Sequence, residues 1–486
     1  MEEIDVPGRK KKHKRRSLVG IIFVLIQLIA SVVAAVLIGN SKVIPAKYFL
    51  AGCFLLAVLF LVALLLQLIK SKVAHVTGII FSILVCIAIC IGGYSFSKVY
   101  SVLTDIGGAE YKTDNMIVVV RKDDPAETIL DAADYIFATQ SIADQENNEK
   151  MLKKLRTVTG KELTTREFGT IFEEAQALLD GKIDAAIYNE AFDEVIEEQI
   201  SGYGDQVRIL YQYGVDTKLK TVNQSVKEPF NVYISGIDVY GPVSKTSRSD
   251  VNIIATVNPN TKQVLLTTTP RDYYVEIPGV SNGQKDKLTH AGIYGVDASM
   301  ATLAKVYNTE INYYARVNFT SLINIVDTIG GIDVNSEYAF EAGGYSFVQG
   351  VNHMDGEMAL AFSRERHSFA GGDNQRGKNQ EAVLTAIINK MLEPSMLTKA
   401  MDILDTLGES VQTNVPDRHL ASLVEMQLNS GGNWSILTMS AVGTGDEQAC
   451  YSTGSQLLYV MQPNEVSVRS ISDKINRILG GEILTQ

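Results

Sequence analysis

Residues 250–269 read Asp-Val-Asn-Ile-Ile-Ala-Thr-Val-Asn-Pro-Asn-Thr-Lys-Gln-Val-Leu-Leu-Thr-Thr-Thr. Two runs of apolar and β-branched residues flank the turn sequence Asn258-Pro-Asn-Thr261, and this pattern predicts a β-hairpin. A further strand-like run, Asn231–Asp238, precedes the hairpin and ends in an acidic residue. Helical and strand-like segments then alternate: Gly295–Val306 (helix), Tyr313–Asn318 (strand) and Phe319–Ile329 (helix). We therefore expect an α/β (α+β) domain around a central mixed sheet.

Acidic and arginine residues stand at the ends of these strands, where functional sites are usually found. Asp238 follows one strand and Asp250 begins the next, so their carboxylates are expected to converge. Arg248 lies two residues before Asp250, and Arg271 follows the last strand of the hairpin. Carboxylates are the oxygen ligands that Mg²⁺ prefers, and arginine binds phosphate oxygens with two parallel hydrogen bonds. The pattern predicts an anion site that could also hold Mg²⁺, with Mn²⁺ as the alternative metal.

A second cluster begins with Ser363-Arg364-Glu365-Arg366. If this segment is extended, Arg364 and Arg366 lie on the same side of the chain. Asp373 follows at the position expected for the cap of a helix over residues 374–391.

The predicted helix over residues 374–391 carries polar and apolar residues on one face. Arg376 and Gln380 lie on this face near the N-terminus, where the helix dipole favours an anion. Val383 and Ile387 continue the same face at helical spacing, and they could line a pocket for a lipid.

The N-terminal hundred residues predict a membrane anchor. The chain is 46% hydrophobic, with a mean hydropathy of +0.07, and this excess is concentrated there. The apolar runs Leu18–Ile38, Tyr48–Ile69 and Val73–Tyr94 are each close to the roughly 20 residues that a helix needs to cross a bilayer. A signal peptide is the alternative for the first run, but the run is long, has no clear cleavage site and is followed by two more.

The basic cluster Arg9–Arg16 predicts the orientation of this anchor. Lysine and arginine residues beside membrane spans favour the cytoplasmic side, so the N-terminus is expected inside the cell. Three crossings then place the chain after about Lys98 outside the cell membrane. A nucleic-acid-binding patch is the alternative interpretation of the cluster. A net charge of −11 opposes it, and we expect no nucleic-acid partner.

Composition divides the chain into residues 1–107 (cytoplasmic tail and three transmembrane helices), 108–225 (a small α/β accessory domain) and 226–486 (the catalytic domain). In the accessory domain, Met116–Val120 and Lys182–Tyr188 resemble strands, and helices are expected from Asp123 to Ile136 and over Leu163–Leu179. No catalytic constellation is evident in it, although a docking surface or a small-ligand site remains open. Four cysteines give no disulfide framework, because only Cys450 lies outside the apolar runs.

Several separated motifs, in this order, resemble the LytR-CpsA-Psr family, and most closely its capsule-type members with several membrane spans and an accessory domain. The resemblance covers roughly residues 230–480. The matching stretches are Ile234-Ser-Gly-Ile-Asp238, Ser247-Arg-Ser-Asp250, Thr269-Pro-Arg-Asp272, Lys287-Leu-Thr-His-Ala291, Gly330-Gly-Ile-Asp333 and Met354–Arg366, followed by Asp373, Arg376 and Gln380.

This resemblance implies a fold whose central mixed sheet encloses a hydrophobic tunnel for a polyprenyl chain. It also implies a role for each matched residue. The implied catalytic residues are Asp373, Arg364, Arg366 and Arg376. The implied substrate-binding residues are Arg248, Arg271 and Gln380. The implied metal ligands are Asp238 and Asp250.

The implied activity is a Mg²⁺-dependent phosphotransferase. It would move a glycopolymer from a polyprenyl-pyrophosphate carrier to peptidoglycan at the membrane, during cell-wall or capsule assembly. Asp373 or Asp238 would be the base. Two alternatives stay open from the sequence: a hydrolase of polyprenyl pyrophosphate, and a non-enzymatic membrane receptor or regulator of envelope synthesis.

Overall fold

The computed structural model describes residues 8–41, 46–106, 111–141, 144–218, 225–237, 247–416, 419, 422–423, 426 and 434–485. The chain divides into two compact units. The first contains residues 1–105 and 417–432, and the second contains residues 106–416 and 433–486.

The first unit contains the helices α1 (Gly8–Ser41), α2 (Ala46–Leu68) and α3 (Lys72–Ile106). Each includes a segment that is long and apolar enough to cross a membrane, with mean hydropathies of 3.0, 3.0 and 2.6 in chain order. The prediction of three N-terminal apolar helices is confirmed.

The second unit contains two large sheets and the helices that pack on them. The accessory region comprises β1 (Tyr111–Arg121), β2 (Ile136–Gln140), α4 (Gln145–Thr159), β3 (Thr164–Phe168), α5 (Ile171–Leu179), β4 (Ala185–Asn189), α6 (Asp193–Gln199), α7 (Tyr203–Gln206) and β5 (Val207–Lys218). The elements that follow, up to the small hairpins, are β6 (Phe230–Ile237), β7 (Val251–Asn258), β8 (Gln263–Thr268), β9 (Tyr274–Glu276), β10 (Lys285–Lys287), α8 (Leu288–Ala291), α9 (Val296–Tyr307), β11 (Tyr313–Asn318) and α10 (Phe319–Ile329). The remaining elements are β12 (Ile332–Ser336), β13 (Phe340–Ala342), β14 (Tyr345–Phe347), β15 (Gly350–Met354), α11 (Gly356–Arg364), α12 (Asp373–Met391), α13 (Ala400–Ser410), β16 (Gln412–Thr413), β17 (Ser435–Ser440), β18 (Gly443–Ala449), β19 (Leu457–Pro463) and α14 (Glu465–Leu479).

The C-terminal sheet is mixed, with the strand order β16-β11-β6-β7-β8-β17. The predicted hairpin is present as the antiparallel pair β7–β8, while β6–β11 and β8–β17 are parallel. Side chains alternate along the hairpin: Ile254 and Leu265 face one hydrophobic cluster, and Ile253 and Leu266 face another. Helices α9 and α14 cover the first face, and α12 covers the second. The predicted α/β domain around a mixed sheet is therefore confirmed.

The accessory region has its own sheet, with the strand order β3-β2-β4-β1-β5, and its own buried clusters on both faces. Ile293, which follows α8 in the C-terminal domain, is buried in one of these clusters. The segment after α8 therefore packs into the core of the accessory region.

In the accessory region, one expected helix is replaced by turns, and another begins later than expected. Residues 122–135 form turns, because aspartates bind nearby backbone groups and compete with a helix: Asp131 Oδ2 accepts from Thr128 N at 2.8 Å, and Asp124 Oδ1 accepts from Ala126 N at 2.9 Å. The other expected helix is a strand in its first part, since Thr164–Phe168 adds to the sheet edge beside β2. Helix α5 begins only after Thr170, whose side chain caps it.

Candidate active site

A narrow cleft lies where β8 ends, β7 begins and α12 begins. Five of the predicted site residues line it: Asp250, Arg271, Asp373, Arg376 and Gln380. The structure therefore brings together residues that are up to 130 positions apart in the sequence. Asp238, the other predicted metal ligand, lies outside the described residues.

Local backbone geometry places Asp250 and Arg271 at one edge of the sheet. Asp250 stands directly before β7, where its N–H donates to Gly236 O at 2.9 Å and extends the pairing with β6. Pro270 follows β8 and has no N–H to donate, so the strand cannot continue through it. Arg271 comes next, in a turn at the mouth of the cleft.

Asp250 and Arg271 form a buried ion pair. Arg271 Nη1 donates to Asp250 Oδ1 at 2.9 Å, and both side chains are less than 15% exposed. Thr289 Oγ1 donates to the same oxygen at 3.2 Å. Burial disfavours the charged carboxylate, but the guanidiniums of Arg271, Arg248 and Arg376 outweigh it and hold the pKa of Asp250 below its ordinary value. Asp250 is therefore an anion at neutral pH.

The first turn of α12 supplies the second ion pair. Arg376 Nη2 contacts Asp373 Oδ1, three residues earlier on the same helix. The expected capping role of Asp373 is wrong, because the cap residue is Gly372 and Asp373 is the first residue of the helix. Burial raises the pKa of Asp373 above its ordinary value, and the nearby carboxylates of Asp272 and Asp250 add to this increase.

Gly377 allows α12 to approach the sheet this closely. A Cβ atom at this position would lie 2.9 Å from Thr268 Cγ2, which is closer than real contacts allow. A glycine in the first turns of the helix therefore lets Arg376 reach the end of β8.

The positions of Arg364 and Arg366 differ from the expectation of an extended segment. Arg364 is the last residue of α11, which begins at an Asp355 cap, and neither arginine lines the cleft. Arg364 is exposed, with its guanidinium carbon 4.2 Å from the centroid of the Phe319 ring. Arg366 Nε donates to His367 Nε2 at 3.4 Å.

Gln380 joins α12 to α11. Its Nε2 donates to Ser363 O at 3.4 Å, next to Arg364, and Asn379 Nδ2 donates to Phe362 O at 3.3 Å. These two hydrogen bonds hold the end of α11 against α12, one helical turn after Arg376.

Arg248 also stays outside the set that lines the cleft. Its Nε donates to Glu194 Oε2 at 3.0 Å, and its Nη1 donates to Glu198 Oε1, both on α6 of the accessory region. Its guanidinium is close enough to Asp250 to lower the pKa of that carboxyl.

Comparison with known proteins identifies the chain. Residues 198–469 match the model of the LytR_cpsA_psr family, and this match covers more than half of the 486 residues. The chain belongs to this family.

Two curated relatives carry the name polyisoprenyl-teichoic acid–peptidoglycan teichoic acid transferase TagU. The one from Enterococcus faecalis is 38% identical over 202 residues, which cover 41% of this chain and 66% of that protein. The one from Oceanobacillus iheyensis is 36% identical over 236 residues, which cover 47% of this chain and 72% of that protein. The crystal structure of B. subtilis TagU is 30% identical, with a TM-score of 0.42, and covers 53% of this chain and 100% of that one.

Sequence reasoning missed several residues that support the cleft of this LytR_cpsA_psr domain. Lys287 Nζ lies 2.8 Å from Asp272 Oδ1, and Asp272 follows Arg271 in the chain. Both residues occur in the motifs quoted above, but motifs alone do not reveal that they pair. Thr289 was missed for the same reason.

Glu381 is a further residue that sequence reasoning missed. It lies on the buried side of α12, 4% exposed, and accepts from Thr268 N and Ser440 Oγ, each at 3.2 Å. Thr268 and Ser440 both line the cleft, so this carboxyl joins α12 to its wall. Burial raises the pKa of Glu381 to about 7, although the hydrogen bonds from Thr268 and Ser440 oppose the increase.

We predict that Glu381→Gln removes a pH-dependent loss of stability. The folded-state pKa of about 7 exceeds the ordinary value of 4.5, so the stability gained from the bound proton is complete below about 4.5 and is lost as the pH rises through about 7. The loss in the unaltered chain is on the order of 3 kcal/mol. Melting temperatures are measured for the full chain and for the variant, both in detergent, from pH 5 to pH 8. As the pH rises, the melting temperature of the unaltered chain should decrease relative to that of the variant. A difference between the two proteins that is the same at pH 5 and pH 8 would contradict this assignment.

Proposed function

We propose that this protein transfers a glycopolymer of the teichoic-acid class from a polyprenyl-pyrophosphate carrier to peptidoglycan. The observation that carries the proposal is the shared cleft in which Arg271 and Arg376 face the buried carboxylates Asp250 and Asp373 at the start of α12. Guanidiniums and a helix N-terminus together suit a pyrophosphate group. The names of the two TagU relatives supply the carrier, the polymer class and the acceptor.

In the proposed reaction, a peptidoglycan hydroxyl attacks the phosphorus that carries the glycan. The new bond joins the acceptor oxygen to this phosphorus, and the bond from the phosphorus to the bridging oxygen breaks. Polyprenyl monophosphate leaves with the electron pair. Arg271 and Arg376 neutralise the charge that develops on the phosphate oxygens.

Asp373 is the proposed acceptor of the hydroxyl proton. Its raised pKa makes it a stronger base than an ordinary aspartate, and it stands in the same cleft as the two arginines. Arg364 and Arg366 remain proposed catalytic residues. Arg364 is the last residue of α11, and Gln380 joins this end of α11 to α12.

The prenyl chain has a proposed path along α12. Leu384 and Ile388 continue this helix away from the cleft and pack, half-buried, against the sheet residues Ile253 and Leu266. Val383 and Ile387, expected from the sequence to line a lipid pocket, instead pack into the cluster shared with α10 and α11. The lipid-facing stripe that we propose is therefore rotated by one residue along the helix.

The cleft also fits a Mg²⁺ ion. Asp250 is anionic, and within the described residues both of its side-chain hydrogen-bond donors use Oδ1, so Oδ2 is the oxygen that we propose for a cation. No group of three His, Cys, Asp or Glu side chains in the described part of the chain could hold a metal alone. Mg²⁺ commonly takes only one or two carboxylates and fills its shell with water and substrate phosphate. We propose Asp250 and Asp238 as its ligands; bound there, the ion would withdraw charge from the phosphate oxygens.

We further propose that the chain is a capsule-type member of its family, with the N-terminus in the cytoplasm and residues after about 98 outside. A separate accessory sheet and three apolar helices support the subtype. The basic cluster Arg9–Arg16 beside the first apolar helix supports the orientation.

We predict that Arg376→Ala lowers the rate of glycopolymer transfer about 10²-fold or more, because it removes a preorganised charge donor. The assay incubates the full chain in detergent with lipid-linked glycopolymer and peptidoglycan and measures the covalent conjugate. Arg469→Ala is the matched control, since Arg469 is exposed and pairs with Glu465 of its own helix. Undiminished transfer by the Arg376 variant would exclude this residue from the mechanism, and glycan released without conjugate would instead identify a hydrolase.

We predict that chelation with EDTA abolishes transfer and that excess Mg²⁺ or Mn²⁺ restores it. Asp250→Asn should raise the Mg²⁺ concentration needed for half-maximal rate, because it removes the ligand charge. The control is Asp333→Asn, which removes a carboxylate from an exposed pair with His353. Full activity after exhaustive chelation would rule out the metal.

We predict that the accessory and catalytic domains are labelled from outside the cell. In a chain lacking its four native cysteines, a cysteine at Glu162, whose side chain is 87% exposed, should react with a membrane-impermeant maleimide on intact cells. A cysteine at His13 should react only after permeabilisation. The reverse pattern would overturn the proposed orientation.

A further inference from the structure

We infer that Glu194 and Glu198 of the accessory domain set the affinity of the donor site for its anionic headgroup, because they compete with that headgroup for the guanidinium of Arg248. The inference rests on the proposed function and on the substrate-binding role that the family resemblance implies for Arg248. It assigns to the accessory domain a role in donor binding, as the source of two residues that act through Arg248.

The competing contacts are short, and the arginine that makes them is largely buried. Arg248 Nε lies 3.0 Å from Glu194 Oε2, and the Arg248 side chain is only 12% exposed. Glu198 Oε1 contacts Nη1 of the same guanidinium. The two carboxylates stand one turn apart on α6, so a single helix face presents both to one arginine.

Arg248 shares its surroundings with the accessory domain rather than with the cleft. Together with Glu194 and Glu198 it lines a cavity whose apolar wall includes Ile117 and Tyr188 of the accessory sheet. Asp250, only two residues further on, lines the cleft with Arg271. The arginine is thus next to the donor site while its guanidinium is occupied elsewhere.

Charge decides the direction of the effect. One guanidinium and two carboxylates carry a net charge of −1, so this group as a whole repels an incoming anion. A pyrophosphate headgroup carries more charge than a carboxylate and offers better hydrogen-bond acceptors to arginine, so it can replace the two glutamates. This exchange breaks the two ion pairs of Arg248. The free energy needed to break them lowers the apparent affinity for the donor.

The accessory domain is held firmly enough to make this competition effective. Ile293 is buried in the accessory core, and it follows α8, which carries Thr289, a hydrogen-bond donor to Asp250. Gly292 lies against the backbone beside Arg248: a Cβ there would be 2.7 Å from Ser247 O and from Ser249 N. Helix α8 therefore ties the accessory core to the segment that carries Arg248.

The test compares the full chain in detergent with its Glu194→Gln/Glu198→Gln variant. Binding of inorganic pyrophosphate is measured by calorimetry, and KM and kcat are measured in the transfer assay. We expect pyrophosphate to bind about tenfold more tightly to the variant, since two partly exposed ion pairs of about 0.7 kcal/mol each no longer have to be broken. The KM for the lipid-linked donor should fall by a similar factor, while kcat does not rise. Tighter binding is a result that mere structural damage would not produce.

The matched control is Asp134→Asn/Glu162→Gln. It removes the same two charges from the same domain, but from exposed pairs with Lys161 and Arg156. Pyrophosphate affinity should stay unchanged, and a gain equal to that of the Glu194/Glu198 variant would reduce the effect to long-range charge and overturn the inference.

A second measurement needs no variant. Saturating pyrophosphate should increase amide hydrogen exchange in residues 193–199 of the unaltered chain, because Arg248 leaves α6. Unchanged exchange there, or unchanged or weaker pyrophosphate binding by the Glu194/Glu198 variant, overturns the inference while transfer by the unaltered chain persists. Absence of transfer by the unaltered chain would instead overturn the proposed function.

Discussion

The buried ion pair between Asp250 and Arg271 is the interaction on which the site depends. A guanidinium taken out of water needs a counter-charge, and a carboxylate beside it supplies one. The same solution recurs around the cleft: Arg376 with Asp373, Lys287 with Asp272, and Arg248 with two glutamates of α6. The protein can therefore fold with a concentrated set of cations before any anionic substrate is present.

This arrangement has a consequence for anion binding. Each cation that receives a phosphate oxygen must share or lose its carboxylate partner, so affinity depends on how tightly the protein holds that carboxylate. Asp250 and Asp373 belong to the catalytic domain and remain in the cleft beside a bound anion. Glu194 and Glu198 belong to another sheet, so their pairing with Arg248 couples the two domains.

Local patterns in the sequence predicted much of the fold. The hairpin around Asn258, strand Tyr313–Asn318 and helix Phe319–Ile329 follow from alternation, turn residues and a terminal glycine pair, all of which act within a few residues. The accessory region was predicted less well, because aspartate side chains replaced a helix by turns over residues 122–135, and an edge strand formed where helical spacing was expected. Those outcomes depend on hydrogen bonds and sheet neighbours that spacing does not report.

The candidate site was also predicted only in part. Strand ends meet at the edge of a sheet, so Asp250 and Arg271 could be placed together from the sequence, whereas Asp373, Arg376 and Gln380 joined them only through the resemblance to the family. Arg364 was placed on an extended segment, whereas a cap at Asp355 starts a helix that ends on it. The partners of Arg248 lie about fifty residues away in another domain, and a buried carboxyl such as Glu381 is visible only once α12 is packed on β8.

The raised pKa of Asp373 links the charge balance of the cleft to its chemistry. Burial is the main cause, and the neighbouring carboxylates of Asp272 and Asp250 oppose the attraction of Arg376. A pyrophosphate bound to Arg271 and Arg376 would add negative charge at short range, and negative charge disfavours the ionised carboxylate further. Donor binding would thus strengthen Asp373 as a base at the moment when an acceptor hydroxyl needs one. In the proposed mechanism, the carboxylate that balances Arg376 in the free protein would become the proton acceptor, because the bound anion would take over its counter-ion.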